Sequence, residues 1–155
     1  MKNLFKIDTV KAHCDVPCGI YDPITAQIAA LSVIRMVDLM EGLEKSDSLE
    51  YSNTISRHIA VKEEEAEKVK HEIRIIWGDF IKPPQIEKYP EIHKIVHNIM
   101  MLGSENRQHV SRDKALELLK EVNKFAQIFW EIKEKQTKTV KAPYAPNEDI
   151  VVPVL

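Results

Sequence analysis

Apolar residues recur at helical spacing in four separate stretches of the chain. From about residue 25 to 41, Ile28, Leu31, Ile34 and Val37 form one stripe, Val33, Met36 and Met40 widen it, and Gly42 ends it. A face that broad predicts burial on more than one side. Between residues 53 and 81, steps of three and four link Ile55, Ile59, Ala66, Val69, Ile73, Ile76 and Phe80, with Lys62 the one interruption. The other faces of this segment carry "KEEEAEKVKHEIR", which reads as a solvated, ion-paired surface. Pro83 and Pro84 then remove backbone donors and clash with preceding carbonyls, so "KPPQIEKYP" must turn. Pro90 suits a first helical position, and Ile92, Ile95, Val96, Ile99 and Leu102 make a short stripe up to Gly103. From residue 111 to 135, Ala115, Leu118, Leu119, Val122, Phe125, Phe129 and Ile132 keep near-heptad spacing. These four segments predict an all-α, antiparallel four-helix bundle over residues 24–135. The segment 136–155 ends in "KAPYAPNEDIVVPVL", whose prolines and apolar ends predict an extended tail on a surface or against another subunit.

The length of 155 residues suits one domain with a real core. With 22 Lys and Arg against 24 Asp and Glu, the net charge of −2 gives neither the basic field of a nucleic-acid binder nor an acidic tail. No apolar run approaches the roughly 20 residues that cross a bilayer, and the initial "LF" is cut short by Lys6. A soluble, cytoplasmic protein without membrane or nucleic-acid partners is therefore expected.

Chemistry concentrates in "KAHCDVPCGIYDP", residues 11–23, which holds both cysteines of the chain. A disulfide between Cys14 and Cys18 would close only a tiny ring and staple nothing, so metal or redox chemistry is the better reading. Thiolates are strongly donating ligands, and the intervening Pro17 can turn the chain so that both sulfurs face one ion. His13 is the only other good side-chain ligand nearby. Structural zinc, which wants four such side chains, is underprovided, so the backbone must contribute to any metal site here.

The run His13-Cys14-x-x-Pro17-Cys18-Gly19-x-Tyr21 resembles the nickel hook of nickel-containing superoxide dismutases. Farther along, "WGDFIKPPQIEKYPEIHKIV" and "IFWE" resemble later segments of that family, so the likeness runs from about residue 13 to 132 and fits its four-helix subunits. The resemblance implies that residues 1–12 are a propeptide, removed after Ala12 by a processing protease, and that residues 13–23 form the hook. It implies one nickel ion per subunit in a homohexamer. The ligands would be the amine and imidazole of His13, the amide nitrogen and thiolate of Cys14, and the thiolate of Cys18. Anionic nitrogen and sulfur donors suit a Ni(II)/Ni(III) couple that converts superoxide to dioxygen and hydrogen peroxide. In the same light Val16-Pro17 is expected to be cis. Tyr21 would lie beside the metal, Asp15 would orient hook amides or supply protons, and Lys82 would attract the anionic substrate or brace the hook.

The chain also departs from the family pattern. The glutamate that supports the axial histidine aligns with Ala29, its arginine partner with Glu65, and a second tyrosine with Phe80. Glu65 is therefore the candidate to orient His13 in their place. His93 and His97 sit one helical turn apart but lack an acidic motif after them, and read as structural. Two further functional classes fit the same residues: a nickel or copper chaperone using the hook without turnover, and a helical interaction protein with a vestigial cysteine loop.

Overall fold

The computed structural model describes residues 19–154. Its first long helix, α1 (Ile24–Glu41), opens where the Asp22 carboxylate accepts the Ile24 amide at 2.8 Å. The helix α2 (Leu49–Ile75) is capped by the Ser48 hydroxyl, runs into a single π-helical turn, Ile76–Phe80, and is followed by a short α3 (Pro83–Lys88) that begins on the two prolines. The connection that had to turn therefore winds a further helix, since a proline at the first position gives up no needed donor. The helices α4 (Ile92–Gln108) and α5 (Arg112–Ile132) complete the set, with Ser111 capping α5. Each of α1, α2, α4 and α5 packs on two of the others, in the cyclic order α1, α2, α4, α5. Phe125, Phe129, Ile34, Ile73 and Ile99 fill the space between them.

Burial shifts the predicted stripes in three places. On α1 the inward positions are Ala26, Ala29, Ala30, Val33 and Ile34, while Ile28 is exposed. On α2, Ile59 is exposed, and Lys62 is 1 % exposed and lies one turn before Ala66 on the buried line. What seemed an interruption is a core position. The Lys62 ammonium donates to the carbonyls of Asn106, Arg107 and His109, the oxygens that the end of α4 would otherwise leave unpaired. Burial pushes its pKa down, against the opposing charge of Glu63. On α4, the helix does not stop at Gly103 but continues to Gln108. A Cβ at Gly103 would stand 2.7 Å from Cγ of Lys70, so the glycine admits a side chain of α2.

The tail is two paired strands, β1 (Thr137–Lys141) and β2 (Asp149–Pro153), antiparallel with Thr139 opposite Val151. Buried Gln27 of α1 donates to the Val151 carbonyl at 2.9 Å and to Oδ1 of Asn123 at 2.8 Å. Asn123 of α5 donates in turn to the Asp149 carbonyl at 2.7 Å and accepts from the Val151 amide. Side chains of α1 and α5 thus satisfy the outer edge of β2, and Ile150 and Val151 are buried with it. Arg112 joins Asp38 of α1 to Glu148 of the hairpin at 2.8 and 2.7 Å. The breadth of the α1 apolar face is met within one chain by α2, α5 and this hairpin. Among the described residues, no helix is long and apolar enough to cross a membrane.

Candidate metal centre

His13, Cys14, Asp15, Pro17 and Cys18 lie outside the described residues. The described chain starts immediately after them, at Gly19, whose φ of 87° is strained for any residue with a side chain, although open space surrounds it. Backbone conformation, not crowding, therefore calls for glycine where the cysteine-bearing stretch joins the helices.

Two residues later the chain meets an aromatic floor. Tyr21 is half-buried, and its ring centroid lies 5.9 Å from that of Phe80. Phe80 stands 5.0 Å from Phe129, which stands 5.0 Å edge-on from Trp130. The π turn makes this possible: it inserts one extra residue into the end of α2, where Ile81 bonds back to the Ile76 carbonyl, and Phe80 then faces α5. Tyr21 is thus held against Phe80 at the end of α2, which itself rests on Phe129 of α5, and it follows Cys18 by three residues in the sequence.

Lys82 follows the same turn. Its amide donates to Oε1 of Gln85 at 3.0 Å, and its exposed ammonium reaches the Gly78 carbonyl at 3.4 Å. It is tied to the π turn that carries Phe80. The Glu65 carboxylate lies 3.6 Å from the Lys68 ammonium on the same helix. The α2 carboxylate bonded to the start of α1 is that of Glu72, which accepts the Thr25 hydroxyl at 3.0 Å. Glu65 lies two turns from it, about 10 Å along α2 at 1.5 Å per residue. Ala29 is fully buried against the other helices, a position at which an ionised side chain would need a partner.

Three contacts near this end escaped the sequence reading. Glu72 is one, and its only signal was membership of a charged run. The second is a hydrogen bond from the Trp77 indole to Nδ1 of His93 at 3.1 Å, which ties the π turn to α4 and requires Nδ1 to be unprotonated. His97 is exposed, so this bond leaves the pair reading structural. The third is Lys133, whose ammonium sits 4.7 Å from the Phe80 centroid. Its position directly after "IFWEI" was the available hint. Among the described residues, no group of three or more His, Cys, Asp or Glu side chains is arranged to hold a metal ion.

Residues 8–133 match the family described as nickel-containing superoxide dismutase. The protein named superoxide dismutase (Ni) of Streptomyces coelicolor is 38% identical over 129 residues, covering 81% of this chain and 92% of its own. That of Streptomyces seoulensis is 36% identical over 128 residues, covering 81% and 91%. The native nickel superoxide dismutase structure at 1.30 Å aligns with a TM-score of 0.69 and 36% identity, over 78% of this chain and 99% of that one. A nickel-containing superoxide dismutase with ligation corresponding to the oxidised state aligns with a TM-score of 0.69 and 34% identity, over 79% and 99%. The family match stops at residue 133, before β1 begins.

Proposed function

The chain belongs to the nickel-containing superoxide dismutase family, and from that premise we propose that it acts as a precursor enzyme, activated by cleavage between Ala12 and His13. It is an oxidoreductase acting on superoxide, with nickel as its cofactor. The observation that carries the finer reading is the joining of the one cysteine-bearing stretch to an aromatic floor at Tyr21 and Phe80.

In this reading His13, Cys14 and Cys18 hold one nickel ion per subunit. Cleavage frees an amine at His13, which joins the Cys14 amide and the two thiolates as a nitrogen and sulfur donor set. When bound, nickel supplies a one-electron couple, Ni(II)/Ni(III), so that two superoxide ions and two protons give dioxygen and hydrogen peroxide. The chain's own residues prepare that chemistry. Gly19 lets the backbone turn, and the packing of Tyr21 on Phe80 orients a hydroxyl able to hold water or a small anion. Phe80 contributes a ring without a hydroxyl, which leaves Tyr21 as the phenol of this floor. Lys82 adds positive charge, and Asp15 is the nearest carboxylate in sequence to the cysteines. Glu65, whose carboxylate stands 3.6 Å from the Lys68 ammonium, orients His13 directly or through water. We read the helices as the antiparallel four-helix bundle of a homohexamer in the cytoplasm.

Uncut protein will be inactive, because residues 1–12 turn the His13 amine into a peptide nitrogen. The check is superoxide consumption by nickel-loaded protein before and after cleavage, together with its nickel content. Full activity in protein still bearing Met1 would overturn the processing step. Cys14→Ser and Cys18→Ser should each abolish turnover with helicity retained, and nickel bound without turnover in the cut protein would identify a chaperone instead. Light scattering tests the assembly, with six chains per particle expected.

A further inference from the structure

Lys133 follows the last residue of α5 and is exposed. Its ammonium stands 4.7 Å from the centroid of Phe80 and 6.0 Å from that of Phe129. Among the described residues Lys133 makes no ion pair, whereas Lys68, Lys70, Lys114, Lys124 and Lys141 each do. That difference has a chemical consequence. A carboxylate partner would cancel the field of the ammonium, but an aromatic face holds a cation through its quadrupole and leaves the net charge intact. The ring that holds it is the one against which Tyr21 packs, at 5.9 Å. Two contact lengths, 4.7 and 5.9 Å, thus separate an uncancelled positive charge from the Tyr21 ring, comparable with the ~10 Å over which a charge acts at 0.1 M salt.

We propose that Lys133 guides the anionic substrate: Phe80 and Phe129 hold its ammonium, as an uncancelled charge, one ring away from Tyr21. This rests on superoxide being the substrate. Lys133 acts on the approach of a small monoanion and transfers neither proton nor electron. The competing explanation is structural, since a cation at a helix C-terminus also favours the carbonyls left open there.

The experiment compares cut, nickel-loaded wild type with Lys133→Met and Lys133→Arg, reading the second-order rate of superoxide consumption from low to high ionic strength. Circular dichroism and nickel content establish that each variant is folded and loaded. Lys133→Met should be slower by about two- to fivefold at low salt and converge on wild type as salt rises, while Lys133→Arg stays close to wild type. An unchanged rate, or a loss equal at every salt concentration, overturns the proposal, because a structural role is not screened. A second readout keeps this separate from the enzymatic reading. In nickel-free protein, azide should shift the Tyr21 and Phe80 ring resonances, with affinity two- to fivefold weaker in Lys133→Met. If loaded wild type consumes no superoxide, the enzymatic reading falls, and azide alone decides Lys133: weaker binding in the variant supports an anion-guiding charge, and equal or absent binding in wild type removes it.

Discussion

Lys62 illustrates how one side chain can be misread from its charge. It occupies a core line on α2, with its side chain buried, because its ammonium closes the end of α4 through three carbonyls. Lys62→Met keeps much of the volume but leaves those carbonyls without their donor, so it should cost about 1–3 kcal/mol, read by denaturant unfolding. Its pH dependence follows from the direction of the shift. The folded-state pKa lies below the ordinary 10.5, so the unfolded chain binds more protons in the window between the two values. Wild type should gain stability relative to Lys62→Met as pH rises through that window, and a difference that shrinks there would contradict the assignment. Gly103 gives a paired case. Gly103→Ala brings a gain in helix propensity of roughly 1 kcal/mol but meets Cγ and Cδ of Lys70 at 2.7 and 2.8 Å. The substitution should fail to stabilise wild type yet stabilise a Lys70→Ala background, a coupling that a double-mutant cycle measures. Neither role was legible in the sequence, because a lysine on an apolar stripe and a glycine late in a helix are both read locally as breaks.

At the scale of elements, the helices were legible where the apolar spacing was dense. Along α5, Ala115, Leu118, Leu119, Val122, Phe125 and Phe129 are inward as the spacing names them, while Ala126 and Ile128 are buried without being named and Ile132 is only half-buried. The end of α2 was only partly legible: the period reaches Phe80, but the extra residue of the π turn shifts the phase at that point, and only packing against α5 reveals it. The extended conformation of the tail was legible, but its pairing into a hairpin was not. Its strands are joined across a proline-bearing loop, and the donors that close its outer edge, Gln27 and Asn123, lie on distant helices where each reads as an ordinary polar residue. These bonds, with buried Ile150 and Val151 and the Arg112 bridge, make the hairpin part of the core that seals α1 to α5. Truncation after Lys135 should therefore lower the thermal midpoint by at least 5 °C, on the scale of about 2–4 °C per kcal/mol for a chain of this size. Far-ultraviolet helicity should persist at low temperature. An unchanged midpoint would make the hairpin an ornament of a bundle already complete at residue 133.

Across the whole molecule, the site and the core are built from different parts of the chain. The proposed ligands fall between residues 13 and 18, while the buried side chains that hold the helices together run from Ala26 to Val151. This separates the protein from small metal domains whose folding free energy is the metal-binding free energy. A ligand stabilises a fold only as far as it prefers the folded over the unfolded chain. Donors contained in six consecutive residues can gather round an ion whether or not the helices are packed, so that preference should be small. Removing nickel from the cut protein with a chelator should then abolish superoxide consumption while leaving the helical signal unchanged and moving the thermal midpoint by less than about 3 °C, equivalent to roughly 1 kcal/mol. The measurement is paired circular dichroism and calorimetry on loaded and chelated samples at one protein concentration. If the midpoint instead falls by ten degrees or more, the hook and the floor of Tyr21 and Phe80 form one cooperative unit, and the metal braces the bundle as well as serving the reaction.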